Sequence, residues 1–198
     1  MTGGTTSGTV GLTAASVQHR PAAEQVRYLA DVAQIRALLS RYCALVDARD
    51  PHAIAAGAFT PDGSDNHGLY GATFRGRDEI EAMFRRSNRT TEASAHFVAD
   101  PLIEIDGDLA YGRTYVTGWT WVRQPGADNV RPADWVFIGI YVDTFERTEE
   151  GWLIKERTVE PLGPGATAAG SRPGAYSGSA GIADDERVAA SNGPSDGY

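Results

Sequence analysis

A single cysteine, Cys43, stands among 198 residues, so no intrachain disulfide can form and no set of thiolates can cage zinc or an iron–sulfur cluster. Its place in an apolar helical stretch makes it a small buried hydrophobe. Basic clusters are also scarce. Acidic residues outnumber basic ones 26 to 18, the net charge is −8, and only short stretches such as Arg85-Arg86 concentrate positive charge. Nucleic acid is therefore not an expected partner. No window approaches a membrane span, and Met1 to Arg20 has neither a basic n-region nor a long apolar run. The expected location is the cytoplasm, without a membrane partner. His-x-Glu and His-x-x-x-His spacings are missing, so no metal is expected. Glycine-rich stretches occupy only the two ends and follow no strand, which leaves no phosphate loop or dinucleotide fingerprint; no cofactor is expected.

What is present fits one domain with tails. Residues 1–23 are rich in Gly, Thr, Ser and Ala and read as a disordered N-terminal tail; residues 163–198 run through Gly, Pro, Ala and Ser and read as a flexible C-terminal one. Between them, residues 24–162 place helices before strands. Ile35, Leu38, Leu39, Tyr42 and Val46 recur at offsets of three and four, predicting an amphipathic helix from Asp31, a plausible N-cap, to Arg49. Asp50-Pro51 reads as N-cap and N1 of a short helix from His52 to Phe59. Pro61-Asp62-Gly63 reads as a turn, and Gly76 to Arg86 as a third helix.

From Ala95 the period changes to two. His96 to Ile105 and Leu109 to Arg123 flank the hairpin signal Asp106-Gly107; Trp135 to Arg147 and Trp152 to Glu160 flank Glu149-Glu150-Gly151. In the third of these strands Trp135, Phe137, Tyr141 and Phe145 alternate with Val136, Ile138, Ile140 and Val142, so both faces are apolar. One face should cover helices and a pocket, the other a partner, which predicts a homodimer or homotrimer.

Four residue types among these elements can move a proton beside a carbonyl without metal or cofactor: Tyr42, Asp47, His96 and Arg157. An imidazole takes and returns a proton near neutral pH, and a carboxylate on its far nitrogen fixes the tautomer. Each also has an ordinary structural role: His96 as a half-exposed strand residue, Asp47 as a solvated acid, Tyr42 as core, Arg157 as a partner of Glu156 or Glu160. Five helical residues place Tyr42 and Asp47 about 140° apart, so they share a cavity only if its wall wraps around the helix. The aromatics on the strands are mostly core. Thr117, Trp119 and Tyr141 are the expected contacts of an apolar small-molecule substrate, with His67 approaching from the loop Asp65-Asn66-His67.

Several segments together resemble a known family. They are Ile35 to Tyr42 followed by Val46-Asp47-Ala48-Arg49-Asp50, Phe59-Thr60-Pro61-Asp62-Gly63, the helix start Gly76-Arg77-Asp78-Glu79-Ile80, His96 before the sheet, Ile105 to Ala110, and Gly151-Trp152 with Arg157. In this order they resemble the SnoaL-like branch of the nuclear transport factor 2-like superfamily over roughly residues 25–162. The resemblance implies an α+β cone, in which a strongly curved antiparallel sheet wraps around N-terminal helices and leaves an apolar cavity between them. It also implies a cofactor-free lyase of the dehydratase or dehydrochlorinase type, with isomerases, polyketide cyclases and non-catalytic binding domains on the same scaffold. Carried over by residue, Tyr42, Asp47 and His96 match the tyrosine, aspartate and histidine of the dehydratases, and Arg157 matches an arginine after the Gly-Trp turn. Where such dehydratases add a second histidine or aspartate after the Asp-Gly hairpin, this chain reads Tyr115-Val116-Thr117-Gly118-Trp119-Thr120-Trp121.

Overall fold

The computed structural model describes residues 16–67, 72–99, 101–126, 128 and 130–162. Ten elements follow in chain order: α1 (Ala22–Asp47), α2 (Pro51–Ala58), β1 (Phe59–Asn66), β2 (Thr73–Arg75), α3 (Gly76–Thr90), β3 (Thr91–Val98), β4 (Leu102–Asp106), β5 (Leu109–Val122), β6 (Trp135–Thr148) and β7 (Gly151–Pro161). The expected tails lie outside the described residues except for 16–23, where α1 already begins.

α1 starts nine residues before the sequence reading placed it. The predicted N-cap, Asp31, is instead a mid-helix residue with 4 % exposure. Apolar periodicity begins only near Val32, because the first turns face solvent and leave Val26 and Leu29 exposed. Asp31 accepts two hydrogen bonds from the Arg147 guanidinium at 2.6 and 2.7 Å and one from Trp152 Nε1 at 3.1 Å. This clamp ties α1 to both strands of the last hairpin. The bonds from Arg147 hold the Asp31 carboxyl below its usual value of 3.8. A depressed carboxylate stabilises the fold above its unfolded value and loses that contribution as pH falls through the folded one. Asp31→Asn is therefore expected to melt earlier than wild type at neutral pH, and the gap should close on acidification below 3.8 in a pH series of thermal melts.

α2 forms as its signals predict: Asp50 Oδ1 accepts from the Ala53 N–H at 3.0 Å, and Pro51 occupies the first helical position. The next segment corrects the expectation. Phe59–Asn66 is a strand, β1, where a turn at Pro61-Asp62-Gly63 was predicted. The pairing of β1 with β7 breaks register between Phe59 and Ser64. Pro61 falls in that break, where its missing N–H removes no ladder bond. The predicted strand His96 to Ile105 is likewise two strands, β3 and β4, both paired with the long β5.

The sheet runs β2-β1-β7-β6-β5-β3, antiparallel throughout except for the parallel β1–β7 pair, with β4 on the first half of β5. It is curved and unclosed, and its concave face packs on the helices. Ile35, Leu38 and Leu39 of α1 and Ile80, Met83 and Phe84 of α3 share one core with Phe145, Ile154 and Val159 of the last strands. The opposite sheet face leaves Phe97, Tyr115, Trp119 and Ile138 between 39 and 62 % exposed. No described helix is long and apolar enough to cross a membrane.

Candidate active site

The C-terminal end of a helix is a poor place for a carboxylate, because the helix dipole is negative there. α1 nevertheless ends on Asp47. Arg49 follows in the left-handed region, φ 59°, and its guanidinium donates to the Asn88 and Thr91 carbonyls at the α3–β3 junction. That clasp sets the end of α1 against the start of β3, and three hydrogen bonds meet the Asp47 carboxylate. Its Oδ2 accepts from the His96 backbone N–H at 2.9 Å, and its Oδ1 accepts from Ser94 Oγ at 3.1 Å and from His96 Nδ1 at 2.6 Å.

An ionised carboxylate only accepts, so the His96 proton lies on Nδ1 and Nε2 carries the lone pair. Gly118, the cross-strand partner of His96, makes room for the ring. A Cβ at that position would sit 3.0 Å from both Cδ2 and Nε2. The imidazole thus lies against bare backbone at one edge of a cleft. That cleft is small and partly open, with a cavity volume of about 70 Å³. Phe84, Trp135, Phe137, Tyr141 and Val159 supply its apolar lining; Ser87, Asn88, Thr91, Ser94 and Thr120 supply the polar part.

His67, immediately after β1, lines the same cleft. Its Nδ1 lies 3.2 Å from both carboxylate oxygens of Asp65, and its ring meets Phe84 edge to face at 5.9 Å. Asp65 has no exposure at all. His67 and His96 come from strands four places apart in the sheet order, and only the sheet's curvature brings both to one cavity.

A family model for the SnoaL-like domain matches residues 27–158. The chain belongs to that family. No curated protein matches this SnoaL-like sequence. Among solved structures, it is similar to the Kfla4162 protein of Kribbella flavida, at 18 % identity and TM-score 0.63, over 72 % of this chain and 96 % of that one. An NTF2-like protein with a cystatin-like fold from Novosphingobium aromaticivorans is 26 % identical, with TM-score 0.58, over 73 % and 90 % of the two chains. A provisionally assigned scytalone dehydratase from the same organism is 19 % identical, with TM-score 0.61, over 71 % and 88 %. These likenesses establish an NTF2-like α+β fold.

In this SnoaL-like protein the other expected site residues divide into three groups. Tyr141 and His67 line the cleft. Thr117 and Trp119 do not: they pair with Ile138 and Val136 on the opposite sheet face, while their neighbours Gly118 and Thr120 face the cavity. Alternation in the sequence shows that β5 has two faces but not which one is concave.

Tyr42 and Arg157 lie beneath the cleft rather than in it. Tyr42 is 1 % exposed and packs edge-on against Phe59, Phe84 and Tyr141. Arg157 is enclosed, donating from Nε and Nη2 to the two oxygens of Asp143 at 2.8 Å each, so it cannot reach a substrate as an anchor. Its guanidinium carbon sits 4.3 Å from the Tyr42 ring centre and 3.9 Å from that of Tyr141. Burial drives both phenols above their ordinary range, against the pull of Arg157. Tyr141 therefore carries a protonated hydroxyl group. Burial also pushes the Cys43 thiol up to about 11, so it is no nucleophile. Among the described residues no cluster of histidine, cysteine and carboxylate could hold a metal ion.

Proposed function

We propose that this SnoaL-like protein is a cofactor-independent lyase, a dehydratase acting on a hydroxylated polycyclic or aromatic ketone. The observation that carries the reading is the His96–Asp47 pair, joined at 2.6 Å through Nδ1 on an imidazole that lines the cleft. His96 Nε2 takes the proton on the carbon next to the carbonyl, and Asp47 stabilises the imidazolium that forms. The pair of electrons from the C–H bond passes to the carbonyl oxygen, where the Tyr141 hydroxyl donates to the developing enolate. Collapse of the enolate restores the carbonyl, forms the C=C bond and expels the hydroxyl from the next carbon, which takes a proton and leaves as water. Tyr141, rather than the Tyr42 that the family resemblance matches, fills this role because it is the tyrosine that borders the cleft. An isomerase would share the proton abstraction and retain the hydroxyl.

A β-hydroxytetralone tests this directly, since loss of water aromatises it to a fluorescent naphthol. Wild type is expected to form naphthol and to exchange the carbon-bound α-proton for deuterium, with His96→Gln losing both by roughly 10²–10⁴-fold. Exchange without naphthol would favour an isomerase. The absence of both would overturn the lyase reading in favour of a binding domain.

A further inference from the structure

The cleft contains a second histidine–carboxylate pair, His67 with Asp65, which proton abstraction by His96 does not use. We infer that His67 is a second catalytic residue, the general acid that protonates the departing hydroxyl. The inference rests on the lyase reading above and adds to it a separate source for the proton that leaves with water.

Elimination of water needs two proton positions, one where the C–H proton arrives and one from which the leaving oxygen is protonated. A lone imidazole must serve both positions in turn and has to reach each of them. Here one imidazole stands on β3 and the other just after β1, four places apart in the sheet order, and both line one cleft, which lets a single bound ligand meet both. The two pairs are built alike at Nδ1. Asp47 lies 2.6 Å from His96 Nδ1, and both oxygens of Asp65 lie 3.2 Å from His67 Nδ1. Asp65 is fully enclosed on a strand that borders β7, which makes it a fixed partner rather than a solvated acid. Its side chain has no exposure, and that of His67 retains 16 %, enough to meet both a ligand and solvent.

The step balances without any further reagent. The electrons of the C–H bond become the new C=C bond, and the C–O bond breaks with its electron pair on oxygen. The oxygen takes one proton from the His67 imidazolium and leaves as water. His96 ends protonated and His67 neutral, and exchange with solvent through the open mouth resets both.

Comparing two leaving groups on one preparation isolates this role. Acetate departs without prior protonation whereas hydroxide does not, so β-hydroxytetralone and β-acetoxytetralone differ in their need for an acid. His67→Gln is expected to lose roughly 10²–10³-fold in naphthol formation from the hydroxy compound. It should stay within about threefold of wild type on the acetoxy compound and keep α-deuterium exchange. Because the ratio of the two rates is independent of the folded fraction, a poorly folding variant still gives an answer. Asp65→Asn should shift that ratio in the same direction. Equal losses on both compounds, or no loss on either, would overturn the role of His67 while leaving His96 in place. A wild type inert toward both probes and without exchange would instead remove the lyase reading itself.

Discussion

Asp47→Asn is expected to lower naphthol formation from β-hydroxytetralone by roughly 10³–10⁴-fold while changing binding of the ketone only slightly. The hydrogen bonds around the carboxylate explain so large an effect from so small a change. Oδ2 accepts from a backbone N–H, which cannot turn into an acceptor, so the asparagine must place its carbonyl oxygen there. Its amide nitrogen then occupies the position of Oδ1, facing His96 Nδ1. An NH₂ in that place donates to Nδ1 and drives the imidazole proton to Nε2, the nitrogen that has to be bare. The ring stays in position in the wrong tautomer, and no counter-charge remains for the imidazolium. The check is kcat separated from KM, together with α-deuterium exchange: kcat and exchange should fall together with KM nearly constant. A rise in KM alone would make Asp47 a binding group.

The pairing of His96 with Asp47 was legible through the family resemblance, and the residues alone added only that Asp47 breaks a local rule. An aspartate closing an apolar helix works against the helix dipole, and Asp50 already caps the helix that follows, so Asp47 was left without a structural task. The α2 cap and the two hairpins were legible for the opposite reason, since there the local signals and the fold agree. Asp65 was hidden. Thr60-Pro61-Asp62-Gly63-Ser64-Asp65-Asn66 carries turn chemistry throughout, and only pairing with β2 and β7, distant in sequence, makes it a strand that buries an acid. The faces of β5 were hidden too. Period two divides Thr117 and Trp119 from Gly118 and Thr120, but the concave side is decided by the helices that pack there. The partner of Arg157 was hidden as well. A guanidinium near two glutamates looks like a surface residue or an anion anchor, and its counter-ion, Asp143, lies on the neighbouring strand, 14 residues earlier.

That buried pair carries the largest expected effect on stability. Arg157 and Asp143 both have side chains with no exposure, and burial opposes charge on each. The bidentate contact at 2.8 Å keeps them an ion pair, because a neutral carboxyl would leave an enclosed guanidinium without counter-charge. Asp143→Ala creates that situation. The cost is expected to be about 3–5 kcal/mol, or roughly a 10 °C fall in the thermal midpoint followed by circular dichroism. Arg157 Nη1 already lacks a hydrogen-bond partner among the described residues, and loss of Asp143 would strip Nε and Nη2 of theirs as well. Joining Arg157→Met to Asp143→Ala should recover most of the loss, since an apolar chain of similar volume asks for no counter-charge. A double variant no more stable than Asp143→Ala would mean that the packing of Arg157 between Tyr42 and Tyr141, rather than its charge, holds the floor of the cleft. The recovered variant also separates support from chemistry. With Arg157 3.9 Å from the Tyr141 ring, its positive charge strengthens that hydroxyl as a donor to the enolate. A stable double variant with lowered kcat and unchanged KM gives Arg157 an electrostatic role through Tyr141, and one with full activity confines it to the fold.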